Sequence, residues 1–170
     1  MNYSYRLAKN KDLNEIVDIY NHSVKTLEST CDIEPITLSS RQPSFTKQLN
    51  DPIRPFWVAE LTNVGITKVV GYLNFSYFMN ERPGYYVTAD LAIYLHPKYQ
   101  GKGVGSFLLS NAIEKAPSLG IQTLCTTIFD SNIASKKLFK KHNFQDWGLM
   151  PGVAMLNGVN KDLRIVGRTL

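Results

Sequence analysis

Cysteine is scarce: only Cys31 and Cys125 occur among the 170 residues. They form neither a CxxC pair nor a zinc spacing, so no disulfide framework or structural zinc is expected. Cys125, among Leu124, Thr126, Thr127 and Ile128, reads as a buried free thiol, and Cys31 as an exposed loop residue. Long apolar runs are also absent, which excludes a membrane-spanning helix. The start, Met1-Asn2-Tyr3-Ser4-Tyr5-Arg6, lacks the cationic lead and apolar stretch of a signal peptide, so the cytoplasm is the expected location. With 11 glycines and 8 prolines the chain is neither collagen-like nor of low complexity. No repeat, Ser/Gly linker or like-charge block divides it, and a single domain over residues 1–170 is expected.

What is present is an ordinary globular composition, 44% hydrophobic and 19% charged, with a net charge of +5. That charge suits an anionic partner without selecting nucleic acid. The basic residues are dispersed apart from Lys136-Lys137 and Lys140-Lys141, and no stripe of aromatic and basic residues or nucleic-acid reader motif occurs. The three histidines, His22, His96 and His142, show no metal-ligand spacing, and no metal is expected.

Periodicity gives the elements. Tyr3, Tyr5 and Leu7 alternate as in a strand, and Leu13, Ile16, Val17, Tyr20 and Val24 recur at helical spacing, with Asp12 and Glu15 placed to cap the first turn. Residues 27–55 read as an irregular, functional loop region with a short helix around Ser40–Leu49. Strands are expected at Phe56–Leu61, Lys68–Phe78, Tyr85–Leu95 and Ile121–Phe129. Helices are expected from Phe107 to Ala116 and over Ser131–His142, the latter closed by Asn143. Val153–Leu156 and Leu163–Val166 suggest a closing hairpin around Asn157-Gly158 with a loop longer than two residues. The fold class is therefore α/β (α+β), a mixed and mostly antiparallel sheet flanked by helices.

The most informative run is Ile93-Tyr94-Leu95-His96-Pro97-Lys98-Tyr99-Gln100-Gly101-Lys102-Gly103-Val104-Gly105-Ser106. A strand gives way to a short loop, glycines at alternate positions and an amphipathic helix. Without side chains the amides of residues 101–106 can turn onto an anion, and the helix start adds its positive dipole end, which makes a diphosphate the natural ligand. The run is neither GxxxxGK[ST] nor a GxGxxG directly after the first strand of a βαβ unit.

Gln100-Gly101-Lys102-Gly103-Val104-Gly105 resembles the Q/R-x-x-G-x-G/A pyrophosphate loop of the GCN5-related N-acetyltransferase superfamily. The resemblance covers nearly the whole chain, through Arg6-Leu7-Ala8, Ile19-Tyr20-Asn21, Glu34-Pro35, Arg41, Val70-Gly71-Tyr72, Thr88-Ala89-Asp90, Asn132 with Ser135, and Phe144. The combination is similar to the phosphinothricin or methionine sulfoximine acetyltransferase branch.

The resemblance implies a fold in which central strands splay and acetyl-CoA, the co-substrate, lies in the gap. Open backbone groups of Ile93 and Leu95 would pair with the pantetheine, and the amides of Gly101, Lys102, Gly103, Val104, Gly105 and Ser106 would hold the diphosphate beside Gln100. Asn132, and less directly Ser135, would contact pantetheine. Asp90, a carboxylate inside an apolar strand, is the candidate base, since burial raises a carboxyl pKa. Glu34 is the candidate relay or ammonium partner, with Asp32 as alternative. Arg82 and Tyr85 are the candidate substrate readers, with Arg41, Tyr86 and Phe45 as further pocket residues. Phe139 stands where many relatives carry a tyrosine acid. The resemblance implies transfer to the primary amine of a small amino-acid-like substrate and a homodimer. The alternatives are a polyamine, antibiotic or protein N-terminus as acceptor, or a non-catalytic acyl-CoA sensor.

Overall fold

The computed structural model describes residues 2–170. Among these, seven strands form one sheet: β1 (Tyr3–Leu7), β2 (Phe56–Asn63), β3 (Ile66–Tyr77), β4 (Thr88–Leu95), β5 (Thr123–Phe129), β6 (Gln145–Leu156) and β7 (Val159–Thr169). Their spatial order is β1-β2-β3-β4-β5-β7-β6. Helices α1 (Leu13–Thr26), α2 (Leu38–Leu49), α3 (Val104–Lys115) and α4 (Ile133–Lys141) flank it. Neighbouring strands are antiparallel throughout except for β4 and β5. This is the expected mixed α+β design. Among the described residues no helix is long and apolar enough to cross a membrane.

Two hydrophobic cores sit on the two faces of the sheet. Odd-numbered residues of β4 (Ala89, Leu91, Ile93, Leu95) pack with Leu108 and Leu109 of α3 and with Phe139 of α4. On the other face Tyr72 and Tyr94 pack with Ile16 and Ile19 of α1 and with Phe45 of α2. This two-face division follows from the period-2 alternation of strand side chains. Trp57 and Phe75 meet edge to face at 5.1 Å in the first core, and each such fully buried aromatic contributes roughly 1.5–3 kcal/mol through burial.

Several expectations are corrected locally. Asp12 does not cap α1 with its side chain. Its carboxylate accepts from Lys9 N at 2.8 Å and from both Arg6 terminal nitrogens at 2.7 and 2.9 Å, while Arg6 also binds Glu60. The β6–β7 hairpin is longer than expected and its loop shorter. Asn157 and Gly158, at φ 49° and 79°, alone separate the strands, as a tight primed turn requires. The strand expected from Tyr85 begins at Thr88, because Pro83–Tyr85 form a 3-10 turn. Asn143 closes α4 in the left-handed conformation, φ 60°, as its side chain permits.

One feature of the sheet creates the site. β4 and β5 are paired at only three positions, Thr88–Thr123, Ala89–Leu124 and Asp90–Cys125. Beyond Asp90, β4 stays with β3 as far as Gly71–Leu95, and β5 stays with β7 as far as Phe129–Leu163. The two strands therefore splay toward their C-terminal ends.

Candidate active site

The backbone phase of β4 decides what faces the splay. His96 N donates to Val70 O at 3.0 Å, one rung past the Gly71–Leu95 pair. In an antiparallel ladder hydrogen-bonded pairs alternate, so the even residues of β4 exchange bonds with β3. The main-chain groups of Leu91, Ile93 and Leu95 then point into the opening. The Leu91 N–H faces β5 in the last β4–β5 rung, the Asp90–Cys125 pair, which leaves Ile93 and Leu95 as the residues whose amides and carbonyls line the splay. Gly71 permits the close approach of β3, since a Cβ there would lie 2.5 Å from the Leu95 side chain.

At the end of β4 the chain passes through a 3-10 turn, Pro97–Tyr99, into the glycine run. Gly101 and Gly103 adopt φ of 70° and 86°, and a Cβ at either would meet no protein atom within 4 Å. The space they leave is thus a cradle and not a packing contact. Gly103 is the N-cap of α3, and Val104, Gly105 and Ser106 follow as its first turn, where amides have no intrahelical acceptor. Gly105 serves packing as well, because a Cβ there would lie 3.2 Å from Leu138 of α4. Gln100 is exposed beside this turn, and the Ser106 hydroxyl bonds His142 Nε2 at 2.7 Å. The arrangement fits a diphosphate: several free amides, a helix start and no side chain in the way.

Asn132 stands at the N-terminus of α4, across the splay. Its Oδ1 accepts from Ser135 N at 2.9 Å, and its amide donates to Glu28 O at 2.9 Å, joining α4 to the loop after α1. Phe139, where a tyrosine acid was sought, is buried against Phe144. Lys136 is committed to Asp130, together with Arg164, so it belongs to an ion-pair cluster.

On the opposite face of β4, under α1 and α2, lies a cavity of about 350 Å³. Asn74 and Ala92 form part of its lining, Tyr20, Tyr72 and Tyr94 supply aromatic walls, and Asp32 and Arg41 bring charges of opposite sign. Asp32 accepts from the Tyr20 hydroxyl at 2.6 Å, and Tyr20 also bonds Thr30 at 2.6 Å. Burial and the bond to Asp32 push the Tyr20 phenol above its ordinary range, so it is a neutral donor. Arg41 Nη1 bonds Ser44 one turn along α2.

Asp90 shares its face with Ala92 and sits one rung further along, opposite Ser76 and at the last residue pair before the splay opens. Burial pushes its carboxyl up to about 6, against the hydrogen bonds from Leu91 N–H and Ser76. Its neighbour across the rung, Cys125, is buried, and burial with the nearby Asp90 carboxylate pushes the thiol up to about 12. That thiol remains protonated and is no nucleophile.

Not every sequence-derived candidate joins this site. Glu34 lies exposed on the loop and is outside the cavity lining, where Asp32 takes the place expected of it. Arg82 and Tyr85 are exposed on the turn before β4, Tyr85 packing edge-on against Phe78. Phe45 is wholly buried in the second core, and Tyr86 packs on Tyr77. Arg41, a secondary candidate, does line the cavity. The histidines also differ from expectation: His22 and His96, far apart in sequence, meet edge-on at 5.2 Å.

Arg54 was not singled out from sequence. Its side chain is 1% exposed, its guanidinium donates to Ile53 O, Tyr86 O and Thr88 O, and it stacks 4.5 Å over the Tyr77 ring. It clamps the start of β4 two residues before Asp90. An arginine between Ile53 and Pro55 in a proline-rich segment gives no sequence signal of burial.

Open amides at the mouth of splayed strands, backed by a cavity with charges of both signs and a buried carboxyl raised to about 6, fit an acyl-coenzyme A-dependent acyltransferase. The model of the Acetyltransferase (GNAT) family matches residues 16–144. YwnH of Bacillus subtilis is 42% identical over 165 residues, covering 97% of this chain and 98% of that one. The L-methionine sulfoximine/L-methionine sulfone acetyltransferase of Pseudomonas aeruginosa is 30% identical over 165 residues, covering 96% and 92%. The crystal structure of a GNAT superfamily phosphinothricin acetyltransferase from Sinorhizobium meliloti in complex with AcCoA superposes with a TM-score of 0.91 at 29% identity, covering 100% of this chain and 89% of that one. This chain belongs to the GNAT family and is an acetyl-CoA-dependent N-acetyltransferase of its phosphinothricin/methionine sulfoximine acetyltransferase-like branch.

Proposed function

We propose that this enzyme transfers the acetyl group of acetyl-CoA to the primary amine of a small amino-acid-like substrate, of the methionine sulfoximine, phosphinothricin or L-amino acid type, by direct attack. The observation that carries this reading is the meeting of two half-sites at β4. The splay and glycine cradle lie at one edge and end of the strand, and the Arg41–Asp32 cavity lies on the face that holds Ala92 and Asp90. Arg41 offers paired donors to a substrate carboxylate, in a geometry a lysine cannot copy. Asp32 offers an acceptor for the ammonium. Arg82 and Tyr85 are left outside the proposed pocket.

The residues divide the work as follows. When bound, acetyl-CoA supplies the activated acyl group. The amides from Gly101 to Ser106 and the open main chain of Ile93 and Leu95 hold and aim it. An amine with a pKa of about 10 arrives protonated, and proton removal is needed before attack. Asp90 accepts that proton, through water, because Ala92 stands between it and the cavity centre. Its pKa of about 6 leaves it ionised at neutral pH and still basic enough to serve. The protonated thiol of Cys125 supports direct transfer and not an acyl-cysteine route.

We further propose that the unit is one domain over residues 1–170 and a homodimer. Trp147, Leu149, Val153 and Met155 on edge strand β6 and Val159 on β7 are large apolar residues left exposed, and such a surface is covered in most assemblies. Both thiols are free, in keeping with a reducing, cytoplasmic location.

A thiol-release assay with acetyl-CoA and a panel of L-amino acids, methionine sulfoximine, methionine sulfone and phosphinothricin tests the reaction. At least one of these amines is expected to release coenzyme A with saturation kinetics. Release of thiol with polyamines or peptide N-termini alone would overturn the substrate class. Acetyl-CoA raising the melting temperature with no thiol release for any amine would overturn the enzymatic reading.

A further inference from the structure

Asp18 and His22 lie one turn apart on α1, and His96 follows the last residue of β4. His22 Nε2 and Asp18 Oδ2 are 3.7 Å apart, and one ligand atom from each of the three residues falls within 4.8 Å of the others. None of the three lines the acetyl-transfer cavity. We propose that Asp18, His22 and His96 form a second, surface site for one divalent first-row transition cation.

The donor set selects the metal. Two imidazoles and one carboxylate suit zinc, cobalt, nickel or copper, whereas magnesium and calcium seek oxygen ligands in greater number. Lys68 and Lys98 act on His96 as nearby positive charges. A purely ionic attraction is thus weak, and bonding to imidazole nitrogen carries the affinity. Zinc–nitrogen and zinc–oxygen bonds of about 2.0–2.1 Å place neighbouring ligand atoms roughly 3.4 Å apart in a tetrahedron. Closing from the observed spread needs rotation of Asp18, which is exposed, and small movements of two half-buried rings. Three protein ligands leave the fourth position to water.

Binding has a local cost that the structure identifies. His96 Nδ1 accepts a hydrogen bond from Lys98 N at 3.2 Å, capping the Pro97–Tyr99 turn. A metal on Nδ1 uses that lone pair. A metal on Nε2 leaves the ring proton on Nδ1, which then cannot accept. In either case the Lys98 bond is lost, so the turn that leads into the glycine cradle senses the cation.

The test uses the full chain, free of any histidine tag. Cobalt(II) titration, followed by visible d–d absorption, and zinc(II) titration by calorimetry are expected to show one equivalent bound per chain, with zinc displacing cobalt. At hundredfold excess over Kd, zinc is expected to raise the melting temperature by about 5–10 °C. His22→Gln and His96→Gln should each weaken binding by at least about tenfold. Cys31→Ser should leave binding unchanged, and magnesium should not compete. Circular dichroism of the metal-free variants establishes that each is folded, and His22→Gln, at the surface of α1, keeps the test decisive if His96→Gln is not. Absence of a saturable single equivalent in the parent chain, full retention of binding in both histidine variants, or its loss in Cys31→Ser would overturn the assignment.

Discussion

Replacing Asp90 by Asn tests the base in two independent ways. The amide keeps the shape of the carboxyl and can still accept from Leu91 N–H and Ser76, but it carries no charge and takes up no proton. Burial raises the Asp90 pKa from 3.8 to about 6, so the folded chain holds its proton more tightly than the unfolded chain does. Below 3.8 both states are protonated and the folded state carries no charge penalty. As pH rises from 3.8 toward 6 the unfolded chain ionises first, and stability falls. Above 6 the loss levels off, at up to about 3 kcal/mol at roughly 1.4 kcal/mol per tenfold. The Asn variant escapes this loss. At pH 8 it should melt about 6–12 °C above the parent enzyme, at 2–4 °C per kcal/mol for a chain of this length, with the gap shrinking steadily toward pH 4. Activity should move the other way. The parent kcat/KM should rise with an inflection near pH 6, and the variant should lose about a hundredfold or more together with that inflection, while its KM for acetyl-CoA is unchanged. Differential scanning calorimetry and rate profiles across pH 4–9 make both measurements. A stability gain that does not vary with pH, or a variant that keeps the parent's pH profile, would refute the reasoning.

Three further substitutions probe the rest of the site. Gly103→Val places a branched side chain at φ 86° and into the cradle. It should cost about 1–2 kcal/mol in urea unfolding and raise the KM for acetyl-CoA at least tenfold. Arg41→Gln should raise the KM for carboxylate-bearing amines by about ten- to a hundredfold, the worth of a charged hydrogen bond, and leave the decarboxylated analogues unaffected in steady-state kinetics. Arg54→Met removes the donors to Ile53 O, Tyr86 O and Thr88 O. It should destabilise the enzyme by about 2 kcal/mol, read as a lower denaturation midpoint with the slope unchanged.

What could be read from the chain alone was whatever is local. Helical periodicity located α1, α3 and α4, and the alternating glycines of residues 101–105 marked the open turn that starts α3, because its conformation is written in consecutive residues. Asp90 was legible as a lone carboxylate among apolar strand residues. The acceptor cavity was not, because Asp32 and Arg41 come from an irregular stretch and meet Ala92 only after α1 and α2 fold over β3 and β4. The family resemblance favoured Glu34, beside a proline, and Arg82, just before the strand. The folded chain turns both outward. Arg54 carried no sequence signal because two of its partners are main-chain carbonyls more than thirty residues away. His22 and His96 are joined by the same fold-over, which no spacing rule anticipates.

The three residue pairs between β4 and β5 make the middle of the sheet its thinnest seam. Amide exchange should therefore report two panels, β1 to β4 and β5 to β6, each more cooperative internally than with the other. A coenzyme whose amides pair along both margins would stitch that seam. Occupancy would then be felt as a tightening of the entire sheet, well beyond the atoms in contact, and amides of β5 remote from any phosphate should slow in its presence.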